Sequence, residues 1–259
     1  MKHSLLTVSF LAVFFAFTAL LFSPSTAFAD LIWWYELEEG SGTTAEDTEG
    51  NNDAAFAGAT EWVEPGSPFS PDYAINYPSL GSYLDLGLGD WTEGGSNATI
   101  ALWLHWNGVG LGRSGNLNHI MRKYLSWTFP AGGMFVWEVD VAGLHRINLT
   151  GANRVTFNTP LPSGEWSHVA VVVDGTAGTV TGYLNGNPDG SGAFLFGSKR
   201  DDPFLIGGSA DKTFNGAMDD IRFYDSLLTE EEIKALAVPE PATMALGIFL
   251  LLALCLKRC

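Results

Sequence analysis

Cysteine is nearly absent: the two in the chain, Cys255 and Cys259, both lie in its last five residues. Everything before them can form no disulfide and offers no cysteine nucleophile, so its stability has to come from packing. Positive charge is scarce as well, with 13 Lys and Arg against 29 Asp and Glu and a formal net charge of −16. A surface of that sign repels nucleic acid, which is not expected as a partner, and anionic lipid, and it repels acidic polysaccharide unless divalent cations bridge the two. Long apolar runs are missing from the middle of the chain and occur only at its ends.

The ends read as addresses rather than as fold. Lys2 and His3 precede an apolar stretch from Leu5 to Phe22, and Ala27 and Ala29 in "AFA" occupy the small-residue positions at which signal peptidase cuts. Residues 1–29 are therefore expected to be a signal peptide, and the rest of the chain to be exported. At the other end stand Pro239, Glu240 and Pro241, then a single apolar segment over 242–256, then Lys257 and Arg258. The segment is short against the roughly 20 residues that span a hydrocarbon core. Its two following bases stay on the cytoplasmic side and leave the preceding chain outside. Removing both end segments takes Lys2, Lys257 and Arg258 together with Glu240, and moves the formal charge from −16 to −18.

Residues 30–237 suit one large domain. Apolar residues alternate with polar ones in short runs bounded by Gly, Pro, Asn and Asp, as in "LIWWYEL", "TIALWLHW", "MFVWEVDV", "LHRINL", "WSHVAVVVD", "TVTGYLN" and "DDIRFYD". About eleven such runs predict an all-β, two-sheet antiparallel sandwich. Asn185-Gly186 supplies a tight hairpin. Thr229 with Glu232 three residues on predicts a capped helix that closes the domain. The alternation turns Asp219 inward with Ile221 and Phe223 and turns Asp220 outward. An inward carboxylate needs a partner, either a cation or a base such as Arg222 or Lys212.

Five blocks in order carry a resemblance: "WYELEEGSGTTAEDTEGNNDAAFAGA", "TIALWLHW", "PLPSGEWSHVAVVVDGTAGTVTGYLNG", "PFLIGG" and "FNGAMDDIRFYDSLLTEEEI". Together they are similar to LamG-type domains of the concanavalin A-like lectin/glucanase superfamily, from about Leu31 to Leu236. The resemblance implies a jelly-roll whose functions are dominated by recognition of sugars or proteins. It also implies a structural Ca2+ between the first loop and the last strand, falling here on Asp47, Gly50, Asn52 and Asp219, all sources of the hard oxygen donors that calcium takes. Trp103, Trp166 and His168 match structural positions of that family. Trp127 and Trp137 are the expected ligand-stacking platforms, on middle strands that the jelly-roll would make concave. The tail resembles the PEP-CTERM sorting signal of Gram-negative bacteria. That implies transient inner-membrane anchoring through the C-terminal helix, processing by an exosortase-type protease, and release to the cell surface or extracellular matrix.

Chemistry is thinly represented. "WEVDVAG" places Glu138 and Asp140 on one face of a strand, in partial likeness to a glucanase motif, but the later Glu is replaced by Val141, Ala142 and Gly143. Retaining hydrolysis needs two carboxyls about 5–5.5 Å apart, and this pair lacks its second member. The two are expected to face solvent while Val139 and Val141 point into the core. His119, His145 and His168 belong to no catalytic pattern. The sequence thus predicts a non-catalytic exported module for extracellular polysaccharide or a surface protein. The alternatives are a structural matrix protein with a protein partner and a glucanase-type hydrolase.

Overall fold

The computed structural model describes residues 31–88, 97–112, 117–123, 135–149, 153–193 and 202–238. Trp127 and the processing residues Ala27, Ala29, Pro239, Glu240, Pro241, Lys257 and Arg258 lie outside the described residues, as does the segment 242–256. Among the described residues no helix is long and apolar enough to cross a membrane.

The chain opens with β1 (Leu31–Tyr35), β2 (Thr44–Ala45), β3 (Ala54–Ala57), β4 (Glu61–Val63), β5 (Ala74–Asn76) and β6 (Tyr83–Asp85). It continues through β7 (Ala98–Trp106), β8 (Leu111–Gly112), β9 (Asn118–Lys123), β10 (Phe135–Val139), β11 (His145–Leu149) and β12 (Asn153–Thr156). Then come β13 (Trp166–Asp174), β14 (Thr179–Leu184), β15 (Asn187–Ala193), β16 (Phe204–Ile206), β17 (Gly208–Ser209), β18 (Lys212–Thr213) and β19 (Gly216–Tyr224), and last α1 (Glu230–Leu236). Sheet A has the order β15-β14-β13-β7-β19-β5-β4, with β1 alongside the second half of β19. Sheet B has the order β12-β11-β10-β9-β16-β6-β3-β2, and β17, β18 and β8 form a small ribbon.

The strand period of two builds the core between the sheets. From sheet A, Ile100, Leu102 and Leu104 of β7 and Val169, Val171 and Val173 of β13 point inward, with Met218, Ile221 and Phe223 of β19. They meet Phe135, Trp137 and Val139 of β10, Ile147 of β11, and Phe204 and Ile206 of β16. On the far side of sheet A, small Ala101 and Ala170 leave room for α1, which seats Ile233 beside Leu228, Tyr183 and Tyr224. The expected helix forms with its capping box complete: Thr229 Oγ1 accepts the N–H of Glu232, and the Glu232 carboxylate accepts the N–H of Thr229. Such a cap contributes about 1 kcal/mol.

Three expectations change. Asp220 is buried, because β19 bulges between Asp219 and Arg222 and Asp220 takes φ +46°, so strict alternation fails there. Glu138 is buried as well, held on the outer side of sheet B by neighbours on the two flanking strands, β9 and β11. Val141 is 59 % exposed, since β10 ends at Val139 and the chain turns through Asp140–Leu144.

Candidate functional site

The side of sheet B that faces away from the core carries a row of polar side chains that crosses four strands. Antiparallel register sets Arg154 of β12 opposite Asn148 of β11, Arg146 of β11 opposite Glu138 of β10, and Glu138 opposite His119 of β9. Arg154 Nε donates to Asn148 Oδ1 at 2.6 Å, and Asn148 Nδ2 donates to Glu138 Oε1 at 2.5 Å. Arg146 Nε donates to the same Glu138 oxygen at 2.7 Å, while His119 Nε2 stands 3.5 Å from Glu138 Oε2. Arg146 Nη1 also reaches Asp140 Oδ2 at 3.4 Å. Asp140 in turn fixes the β10–β11 turn, its Oδ1 accepting the N–H of Ala142 and Leu144. The row rises from His119, fully buried, to Arg154, which is exposed.

Charge is balanced around Glu138. Burial alone would raise its pKa, but the close approach of His119, the Arg146 hydrogen bond and the Arg146 charge outweigh it and pull the carboxyl down to about 2. Burial holds the His119 imidazole below the usual histidine range despite the neighbouring carboxylate, so it is neutral at pH 7. Behind them, Arg122 of β9 meets Asp211 at 3.5 Å, and Ser209 Oγ donates to Asp211 Oδ1 at 2.6 Å. Lys212 lies close enough to Glu138, Asp211, Arg122 and Arg146 to feel their charges, and burial lowers its ammonium. Glu138 is thus an ion-paired anchor, and Asp140 is its partner on the same arginine.

The residues singled out from sequence fall elsewhere. Trp137 has no exposed surface: its ring lies in the inter-sheet core, and Nε1 donates to His145 Nδ1 at 3.3 Å. His145 Nε2 stands 3.4 Å from Asp189 Oδ2, so this row ties sheet B to β15 of sheet A. Trp137 therefore has no ring face to offer a ligand. His168 and Trp103 are both buried and meet edge to face at 5.5 Å, while half-buried Trp166 packs against His105.

Asp47 is the hub of the first loop. Its Oδ1 accepts the N–H of Trp34 at 2.8 Å and of Glu49 at 3.2 Å, and its Oδ2 accepts those of Asn51 and Asn52 at 3.0 and 3.1 Å. Gly50, at φ +73°, closes the turn by donating to the Asp47 carbonyl. The carbonyl of Asn52 accepts the Tyr35 hydroxyl. A carboxylate has about four lone-pair sites, and all four here receive N–H groups, so this donor set does not fit a calcium ion without losing loop hydrogen bonds. Asp219 is buried, but the bulge in β19 sets it opposite Trp103 on the side of sheet A away from Ile221 and Phe223, where its oxygens accept the N–H of Ser67 and Asp220 at 2.7 and 2.8 Å. Arg222 pairs instead with Asp220 at 2.9 Å, and Trp34 Nε1 donates to that same Asp220 oxygen. Beside Asp47 opens a cleft of about 380 Å³ lined by Glu36, Glu38, Glu39, Glu46 and Thr48. Burial raises the Glu36 and Glu38 carboxyls, which are also crowded by neighbouring acids. Among the described residues no group of three or more His, Cys, Asp or Glu is arranged to hold a metal ion.

The polar row escaped sequence reading because its members come from four strands whose pairing is a matter of register. The usable signal was the alternation of Arg146 and Asn148 with core-facing Ile147.

Comparison with known proteins bears on the fold. Domain 4 of the GH43 extracellular arabinanase AbnA from Geobacillus stearothermophilus, solved with arabinotriose, superposes with a TM-score of 0.59 at 18 % identity, covering 81 % of this chain and 99 % of that domain. Trypanosoma rangeli sialidase gives 0.60 at 15 % identity, over 80 % of this chain and 32 % of that one. The binding domain of Paraclostridial Mosquitocidal Protein 1 gives 0.60 at 16 %, over 80 % and 52 %. The chain thus spans about a third of the sialidase and about half of the mosquitocidal chain. At these identities the likeness is one of fold. No curated protein matches the sequence. A laminin G family model, described as the concanavalin A-like lectin/glucanases superfamily, matches residues 79–234, more than half of the chain and all of the strands from β7 to β19. On that match, and on the two-sheet jelly-roll that accompanies it, the chain belongs to the laminin G-type branch of the concanavalin A-like lectin/glucanases superfamily.

Proposed function

We propose that the protein is an exported, non-catalytic module that binds extracellular polysaccharide on the outer face of sheet B. The observation that carries this reading is the hydrogen-bonded row from Glu138 through Asn148 to exposed Arg154, with His119 packed behind Glu138. Buried members fix the orientation of the exposed one, which lowers the ordering cost when a ligand arrives. The arabinotriose complex of AbnA domain 4 supports the same class of ligand by analogy. Glu138 and Asp140 share Arg146, so neither is set up as a lone acid or nucleophile. The signal peptide and the PEP-CTERM-like tail support a route through the inner membrane, signal peptidase and an exosortase-type protease to the surface or matrix.

The test is affinity electrophoresis of the purified full-length chain through gels containing the producing cell's exopolysaccharide, arabinan or a β-glucan, with reducing-end release measured in parallel. Retardation lost in Asn148→Ala, with no reducing ends released, is the expected result. Release of reducing ends abolished by Glu138→Gln would replace this reading with glycoside hydrolysis. Free migration in every gel, with surface proteins captured instead, would replace it with a matrix role built on protein contacts.

A further inference from the structure

We infer that the ligand of this face is a carboxylated polysaccharide, its uronate groups received by Arg154 with Arg146 beside it. This rests on the polysaccharide-binding reading above and narrows it to a ligand class. The chain as a whole argues the other way, since its charge is −16. A cluster of its cations nevertheless lies on this face. Residues 30–238 contain ten Lys and Arg, and four of them, Arg122 of β9, Arg146 of β11, Arg154 of β12 and Lys212 of β18, stand around Glu138, while Lys123 lies on the side of Phe135 and Phe204. The acids among them are Glu138, Asp140 and Asp211. Asp202 and Asp85 lie toward β16 and β6, on the far side of β9 from Arg154. The acidic cleft of Glu36, Glu38, Glu39 and Glu46 flanks β2, at the opposite edge of sheet B from β12. An anion is therefore turned away from one edge and drawn to the other.

The chemistry of the face agrees. Neutral sugars are commonly gripped by stacking on exposed rings, yet the aromatic residues of β10, Phe135 and Trp137, both point into the core. On the outer side of β10 to β12 stand Val136 and Glu138, both buried, then half-buried Arg146 and Asn148, and at the edge the exposed Arg154 and Thr156. A guanidinium is planar and matches a carboxylate with two parallel N–H donors. Arg154 uses Nε to hold Asn148, which fixes the plane of its guanidinium on the exposed rim of the row. Arg146 is held by Glu138 and Asp140 with its side chain 11 % exposed. The pair forms an oriented, partly desolvated rim at the edge strand, where a chain-like ligand has access.

The experiment runs the full-length chain through gels containing polygalacturonate or neutral debranched arabinan, both in EDTA to remove bridging divalent ions. Polygalacturonate should retard it more strongly than arabinan, and retardation should weaken as sodium chloride is raised. Arg154→Gln, an exposed substitution whose fold is checked by an unchanged melt, should weaken polygalacturonate binding about tenfold or more, the loss expected for one charge-assisted contact. Arg154→Lys should recover part of it. Arabinan retarding the chain as strongly as polygalacturonate, with Arg154→Gln showing no selective loss, overturns the anionic ligand and leaves polysaccharide binding standing. Free migration in both gels and in the exopolysaccharide gel removes both readings.

Discussion

Asp219 shows how a single buried carboxyl can couple the fold to pH. Burial, together with the charge of Asp220, pushes it up to about 8, although two backbone N–H groups partly offset that. In an unfolded chain an aspartate titrates near 3.9. The folded state therefore holds an extra proton between those values, and the stability it gains from Asp219 is complete below about pH 4 and is lost as pH rises through about 8. Asp219→Asn cannot ionise. It costs something at every pH, since its amide leaves one N–H without an acceptor, but the gap to the parent should narrow steadily from pH 4 to pH 9 in denaturant titrations. Parallel curves would show that the carboxyl is already ionised at neutral pH and held by a cation. The face of Asp219 was misjudged from alternation with Ile221 and Phe223, because the bulge sets it opposite Trp103 and away from core-facing Met218, although its burial was legible. The burial of Asp220 was not, because a bulge with positive φ leaves no mark in a pattern of period two. Trp137 was misplaced for a related reason: a Trp on a middle strand reads the same on either face until the neighbouring strands fix which side is core.

At the scale of elements, the loop from Ala45 to Ala54 is organised around one side chain. Asp47 receives four backbone N–H groups and so does within the chain what a bound ion could do from outside it. Asp47→Ala should lower stability by about 2–4 kcal/mol, since several charge-assisted bonds are lost together and do not add in full. The loss should be the same in calcium and in EDTA, measured by urea midpoint. A loss confined to calcium buffer would return Asp47 to the role of metal ligand. The seven runs quoted as strands from alternation all appear as strands, because each has one face in the core or against α1. β15 did not announce itself: "NPDGSGA" is an edge strand rich in Gly, Asp and Pro, paired only through the Asn185-Gly186 hairpin with β14. The polar row is illegible for the same reason of range, since Arg154, Asn148, Glu138 and His119 are joined by pairing between strands and not by spacing along the chain.

Taken as a whole, the molecule is acidic, with half of the ten Lys and Arg of residues 30–238 on β9, β11, β12 and β18 and carboxylates crowded about β1 and β2. Excess like charge destabilises a compact state through self-repulsion, and that repulsion is screened over about 10 Å at 0.1 M salt. Raising sodium chloride from about 10 mM to about 150 mM should therefore raise the melting temperature of the chain. The acidic cleft beside Asp47 brings four glutamates together, so calcium will also help there, as a diffuse counterion. At matched ionic strength calcium chloride should do little more than sodium chloride. A specific ion would behave otherwise: bound at about ten times its dissociation constant it would add about 1.4 kcal/mol, or several degrees. An excess of that size with calcium alone, abolished by Asp219→Asn, would place a cation between the last strand and the first loop. Equal effects of the two salts mean that hydrogen bonds and packing hold this edge of the sandwich, with salt acting only on the field around it.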